Sequence, residues 1–163
     1  MSKSIKHELT YDATLAEVTA MLADPAFREE VCTYQGVTKV DVTVTVDGDT
    51  KDVRIDQWQP TQGMPSFAKK IVGEETNIVQ VEHWTSPTRG DITVSIPGKP
   101  GSMSGTATIV ESGGPGGGVV ETVELTVKVN IPLVGGKLEG LIADLLLKAL
   151  KAENKVGVRY LSA

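Results

Sequence analysis

The C-terminal stretch Pro132–Ala163 constrains the fold most. It reads PLVGGKLEGLIADLLLKALKAENKVGVRYLSA, one long amphipathic helix closing a chain otherwise patterned almost entirely as β-strands. At 100° per residue, Leu138, Leu141, Ile142, Leu145, Ala149, Ala152, Val156 and Tyr160 share one face. Lys137, Gly140, Asp144, Lys148, Lys151 and Lys155 fall on the other side. Leu147 lies opposite the main stripe and Leu150 beside it, so the apolar surface is wider than one sheet contact needs. Pro132 ends the ladder pairing of the preceding strand, and Gly135-Gly136 breaks it. Lys148, Lys151, Lys155 and Arg159 lie toward the helix C-terminus, where cations suit the dipole. Gly157 is expected to fray the helix or end it early.

The rest of the chain alternates. A first strand spans about Ser4–Tyr11, with Ile5, His7 and Leu9 on one face. Thr14 and Glu17 have capping-box spacing for a short helix buried through Leu15, Val18, Met21 and Leu22. Asp24-Pro25 starts a second helix, with Asp24 as cap and Pro25 at its first position. Val37–Val46 follows as a strand with Val40, Val42, Val44 and Val46 on one face. Asp47-Gly48 is a hairpin signal, and the return strand is about Lys51–Gln59. Pro60–Phe67 reads as a loop and Ala68–Val72 as a helical turn. Further strands are expected at Asn77–Ser86, Asp91–Ile96, Met103–Glu111 and Val119–Ile131. This order implies an α+β fold: an antiparallel sheet of about seven strands, wet on one face and covered on the other by the last helix. Each apolar side chain buried there contributes about 1.5–3 kcal/mol.

At 163 residues the chain suits one domain over residues 1–163. No apolar run is long enough for stable membrane insertion. The opening MSKSIKHELTY lacks the apolar core of a signal peptide, and Cys32 is the only cysteine, which together imply a cytoplasmic protein without disulfides. The net charge of −5 argues against broad nucleic-acid binding. The basic run from Lys137 onward, interrupted by Glu139, Asp144 and Glu153, reads as a solvated helix face. Nothing in the sequence fixes an oligomeric state.

Two segments carry a family resemblance. HELTYDATLAEVTAMLADPAF, within Ile5–Phe27, and IPLVGGKLEGLIADLLLKAL, at Ile131–Leu150, resemble the opening strand, helix and D-P-x-F restart, and the last strand and grip helix, of the START, polyketide-cyclase and Bet v-type superfamily (SRPBCC). Within it, the chain most resembles a bacterial domain-of-unknown-function branch. The resemblance covers essentially the whole chain. It implies a helix-grip fold, a curved sheet wrapped around the C-terminal helix with two short helices after the first strand. It also implies an apolar cavity between sheet and helix for a lipid, sterol or polyketide-like ligand. Some members catalyse cyclisation or dehydration.

Candidate site residues follow from strand parity. His7 shares the face of Ile5 and Leu9, and His83 shares that of Val79 and Val81, so both are expected inside, as hydrogen-bonded core residues, ligand contacts or a general base. Gln57 has inward parity with Val53 and Ile55. Trp58 and Trp84 fall with Arg54, Asp56, Gln80 and Glu82 on the nominally outer face, stacked across strands unless a bulge turns them. Leu138, Leu141, Ile142, Leu145 and Ala149 would roof the cavity. Ala149 and Ala152 either leave ligand space or let the helix approach the sheet closely. Met64 and Phe67 form a lid or a satellite core.

No metal, cofactor or catalytic motif is expected. The histidines lack carboxylate companions at ligand spacing. Gly113–Gly118 lies between strands and reads as a mobile hairpin turn, without the signature of a phosphate loop, and Gly135-Gly136-Lys137 lacks a Walker pattern. No Ser-His-Asp order, HExxH or nucleophile elbow occurs. Three functions stay open: binding of a small apolar molecule, a cyclase or dehydratase using His7 or His83, and an interaction module docking through Leu147 and Leu150.

Overall fold

The computed structural model describes residues 2–112 and 118–162; residues 113–117, most of the glycine-rich turn, lie outside that range. The elements in order are β1 (Lys3–Tyr11), α1 (Leu15–Leu22), α2 (Pro25–Tyr34), β2 (Lys39–Asp47), β3 (Thr50–Pro60), α3 (Ser66–Val72), β4 (Glu75–Ser86), β5 (Arg89–Ser95), β6 (Ser102–Glu111), β7 (Val119–Lys128) and α4 (Gly135–Ser162). The strands form one curved antiparallel sheet in the order β1-β7-β6-β5-β4-β3-β2. β1 and β2 are its two edges, so α1 and α2 carry the chain from one edge to the other. The fold is the helix-grip α+β arrangement expected from the element order.

Local chemistry sets the joints. Thr14 and Glu17 form the capping box: Glu17 N donates to Thr14 Oγ1 at 3.1 Å and Thr14 N to Glu17 Oε1 at 3.0 Å. Asp24 caps α2 by accepting from Ala26 N at 3.0 Å, and its other oxygen accepts from Tyr160 Oη at 2.6 Å. One carboxylate therefore starts α2 and ties down the end of α4. Phe27 meets the Tyr160 ring edge-on at 5.5 Å. Gly48 takes a positive φ of 62° in the β2–β3 hairpin, as an Asp-Gly turn requires.

α4 packs chiefly against β1 and flanks α2. Its buried face holds Leu138, Ala143, Ala152, Val156 and Gly157, while Leu141, Ile142, Leu146 and Leu150 are half-buried against the core. The helix thus turns small residues to the sheet in its C-terminal half. A Cβ on Gly157 would lie 2.6 Å from Tyr11 Cε1. Gly157 does not end the helix; it admits the Tyr11 ring. Leu145, expected over the cavity, is instead 38% exposed, because the buried stripe runs through the alanines and not through the leucine beside them. Glu139 and Glu153, expected on the solvated face, point inward: Glu139 is buried and accepts from Val129 N at 2.9 Å. Met64 and Phe67 pack on the main core beside α3.

Candidate functional site

The sheet register places charged residues on the covered face. Lys51 pairs with Trp84, Val53 with Glu82, Ile55 with Gln80 and Gln57 with Ile78. Directly opposed residues share a face, so the inner row of β4 is Ile78, Gln80, Glu82 and Trp84. This reverses the face expected for β4. Trp84 is buried at 1% exposure, and its ring lies over Gly90, where a Cβ would come within 2.7 Å. His83 is outside and exposed, with Nδ1 2.6 Å from Asp52 Oδ1. Trp58 is 37% exposed on the outer face, as expected. The inward expectation for His83 failed because β4 turns its polar residues, not its valines, toward a buried cation.

That cation is Arg28 of α2, 2% exposed. Its guanidinium grips Glu82 with two bonds, Nη1 to Oε2 at 2.8 Å and Nη2 to Oε1 at 2.9 Å, and Nε donates to Leu22 O at 3.0 Å. Such a fork is among the stronger charge-assisted arrangements. Glu82 also accepts from Trp84 Nε1 at 2.9 Å and Gln80 Nε2 at 2.6 Å. Burial works against its charge, but Arg28 and these donors hold its carboxyl below the ordinary carboxylate range. The same pairing keeps Arg28 charged despite its burial. Arg28 Nη1 also reaches Glu153 Oε1 of α4 at 3.4 Å. Burial lifts the Glu153 carboxyl, Arg28 opposes and Glu82 adds, leaving it pushed up to about 7.

Beside this satisfied group stands an unsatisfied one. Lys51 Nζ on β3, Glu121 Oε1 on β7 and Tyr11 Oη on β1 are buried with no hydrogen-bond partner, as are the hydroxyls of Thr19 on α1 and Thr76 on β4. Burial, Glu153 and Glu82 raise the Glu121 carboxyl well above its ordinary value, against Arg28 and Lys51. Burial and then the Arg28 charge push Lys51 down to about 8, against Glu82 and Glu121. The Trp84 ring, 4.7 Å from Nζ, favours the ammonium. Burial, Glu153 and Glu121 raise the Tyr11 phenol, against Arg28 and the neighbouring Asn154 amide. Leaving a buried polar atom unpaired costs about 1–3 kcal/mol, so three together call for an explanation.

The other expected site residues do not gather here. His7 is half-buried on the inner face of edge strand β1, opposite Val123. Gln57 is buried at the far end of β3 from Lys51, and its Oε1 accepts from Gln59 Nε2 at 3.0 Å. Leu138 is buried, and Leu141, Ile142 and Ala149 are half-buried. Two open concavities, of about 450 and 440 Å³, lie elsewhere, one across Ser4, Lys6, Thr106 and Glu124, the other at the β7–α4 connection. Between sheet and α4 stand Tyr11, Arg28, Glu82, Trp84, Glu121 and Glu153. Among the described residues, no group of His, Cys, Asp and Glu has the arrangement to hold a metal ion, and no helix is long and apolar enough to cross a membrane.

Sequence signals for the missed residues exist. Glu121 is the one charged residue in phase with Val119, Val123, Leu125 and Val127. Glu153 stands three and four residues from Leu150, Ala149, Val156 and Gly157, inside the apolar stripe. Arg28 is in helical phase with Val31 and Cys32.

A family model, protein of unknown function (DUF2505), matches residues 6–161. The chain belongs to that family. Solved structures share its fold. The Zhui aromatase/cyclase from Streptomyces sp. R1128 superposes with a TM-score of 0.67 at 12% identity, covering 98% of this chain and 93% of that one. A norcoclaurine synthase point mutant from Thalictrum flavum, in complex with a transition-state analogue, gives 0.65 at 16%, covering 98% and 96%. A START superfamily protein from Mycobacterium smegmatis gives 0.56 at 16%, covering 94% and 96%. This is the START/polyketide-cyclase fold. No curated protein matches the chain.

Proposed function

We propose that this DUF2505 protein binds a small, mainly apolar molecule of lipid, sterol or polyketide-like character between the sheet and α4, holding its polar group against Lys51, Glu121 and Tyr11. The observation that carries the reading is the three buried, unpartnered polar atoms on three strands of the covered face. Ligand sites are mostly apolar with a few placed polar groups, and the polar groups of a bound molecule would supply the partners these atoms lack. α4 is the element that must shift to admit it. The fold shared with an aromatase/cyclase and a norcoclaurine synthase supports a small-molecule ligand. The low net charge density and single buried cysteine support a cytoplasmic protein acting without nucleic acid.

Native mass spectrometry of gently purified protein, with thermal shifts against fatty acids, sterols and polyphenols, tests this. A co-purified ligand, or a stabilisation that grows with ligand concentration, is expected. Tyr11→Phe and Glu121→Leu should each weaken it by roughly tenfold, as for one lost hydrogen bond to a buried group. Protein that carries nothing and responds to none of these classes would refute the reading.

A further inference from the structure

We propose that Lys51 is a buried amine nucleophile that forms an imine with an aldehyde or ketone carried by the bound molecule, with Glu121 as the proton donor. This rests on reading the sheet–α4 interior as the ligand site and adds a substrate class and a covalent step.

Lys51 differs from every other lysine of the chain. It is 4% exposed, whereas the rest are exposed. Its Nζ has no hydrogen-bond partner, so no salt bridge must break before the amine reacts. Trp84 forms one wall at 4.7 Å. The Arg28 charge disfavours a second cation nearby, and Glu82, tied to it, offsets this only in part. An amine desolvated and placed beside another cation is an activated nucleophile. The push of Lys51 down to about 8 agrees with that geometry. Glu121 supplies the second requirement: its Oε1 is buried without a partner, its charge acts on Lys51, and burial biases its carboxyl toward the acid form.

The step balances within these groups. The neutral Lys51 nitrogen forms a bond to the carbonyl carbon, and the π pair moves to oxygen, which takes the Glu121 proton. The new ammonium returns a proton to the Glu121 carboxylate. The hydroxyl then leaves as water with that proton, and the nitrogen lone pair forms the C=N bond. One iminium, one water and one Glu121 carboxylate result, and hydrolysis reverses the sequence.

The test uses 2-naphthaldehyde as probe and 2-naphthylmethanol as its unreactive counterpart. Wild-type protein is treated at pH 7 with limiting aldehyde and sodium cyanoborohydride, and the reduced adduct is located by peptide mass mapping. Free amine at pH 7 is on the order of a hundredfold more abundant for a lysine near 8 than for one near 10.4. Lys51 should therefore label on the order of ten times faster than any exposed lysine, and Lys51→Met should remove that adduct alone. Glu121→Gln should slow it by roughly tenfold, the scale of one positioned acid. If the alcohol stabilises the protein and the aldehyde leaves Lys51 unlabelled, the imine fails while the binding reading stands. If neither probe stabilises the protein and only exposed lysines label, both fail. Because the mapping is done on wild-type protein, a poorly folded Lys51 variant does not blunt the test.

Discussion

Glu153→Gln should remove a large part of the pH dependence of stability. Glu153 faces Arg28 from α2, Glu82 from β4 and Glu121 from β7, and its carboxyl moves from 4.5 to about 7 on folding. Between those values the folded state holds the proton that the unfolded state has lost, so wild-type stability falls as pH rises through this window. A carboxyl moved that far carries about 3 kcal/mol of unfavourable charge above pH 7. Glutamine keeps the shape and the acceptor toward Arg28, which retains its fork to Glu82. At pH 5 the variant should be more stable by only about 1 kcal/mol. At pH 8 the variant should be more stable by up to about 3 kcal/mol, roughly 6–12 °C in Tm for a chain of this size. Because the Glu153 charge also raises Glu121, the substitution relieves both carboxyls, and the two effects have the same sign. Urea midpoints at pH 5, 6, 7 and 8 decide it. Parallel profiles over that range would mean that water reaches Glu153 and that the cluster is not a buried one.

Three further outcomes follow from the same geometry. Arg28→Met strands Glu82 and Glu153 without their counter-charge and should cost about 3–5 kcal/mol in urea unfolding near neutral pH. Gly90→Ala drives a methyl group into the Trp84 ring, where 2.7 Å is available, and should cost about 1–3 kcal/mol, with a shift in tryptophan emission that Trp58 does not share. His83→Ala breaks only an exposed pair with Asp52 and should change stability by less than about 1 kcal/mol, leaving ligand-induced thermal shifts unaltered.

The fold was legible because period and punctuation agreed. Val40, Val42 and Val44 alternated with polar residues, Thr14 and Asp24 announced two helix starts, and the Leu138–Val156 stripe was the one long enough to cover the sheet. The site was not legible by the same rule. Alternation assigns the inside to whichever face is more apolar, and on β4 that face was Val79 and Val81. The choice is overruled by Arg28, distant in sequence, whose desolvation makes Glu82 on the inside worth more than a valine there. A polar cluster is invisible to a reading that treats charge as a mark of solvent, and Glu153 was misplaced for that reason. The readable signal was the reverse one, a lone charge held in apolar phase, as at Glu121.

That cluster divides by satisfaction, and the division gives opposite signs to two substitutions that look alike. Arg28 and Glu82 have every strong partner they need, so deleting one member leaves the other exposed to the low-dielectric interior. Lys51 has no hydrogen-bond partner, so deleting it removes a cost. A lysine held at about 8 instead of 10.5 contributes unfavourably below pH 8, and wild-type stability should rise as pH climbs from about 8 toward 10.5, where the unfolded state holds the extra proton. Lys51→Met keeps most of the aliphatic volume over Trp84. It should stabilise the ligand-free protein by about 1–3 kcal/mol at pH 7 and flatten that alkaline rise, while Arg28→Met destabilises it. Structural residues are ones whose loss weakens the fold. A residue whose loss strengthens the empty protein and weakens binding is held in place at the fold's expense, and thermal unfolding of Lys51→Met with and without 2-naphthylmethanol separates the two. Loss of stability in the empty Lys51→Met protein at pH 7 would assign Lys51 to the scaffold and leave Glu121 and Tyr11 as the unsatisfied members of this cluster for a ligand to meet.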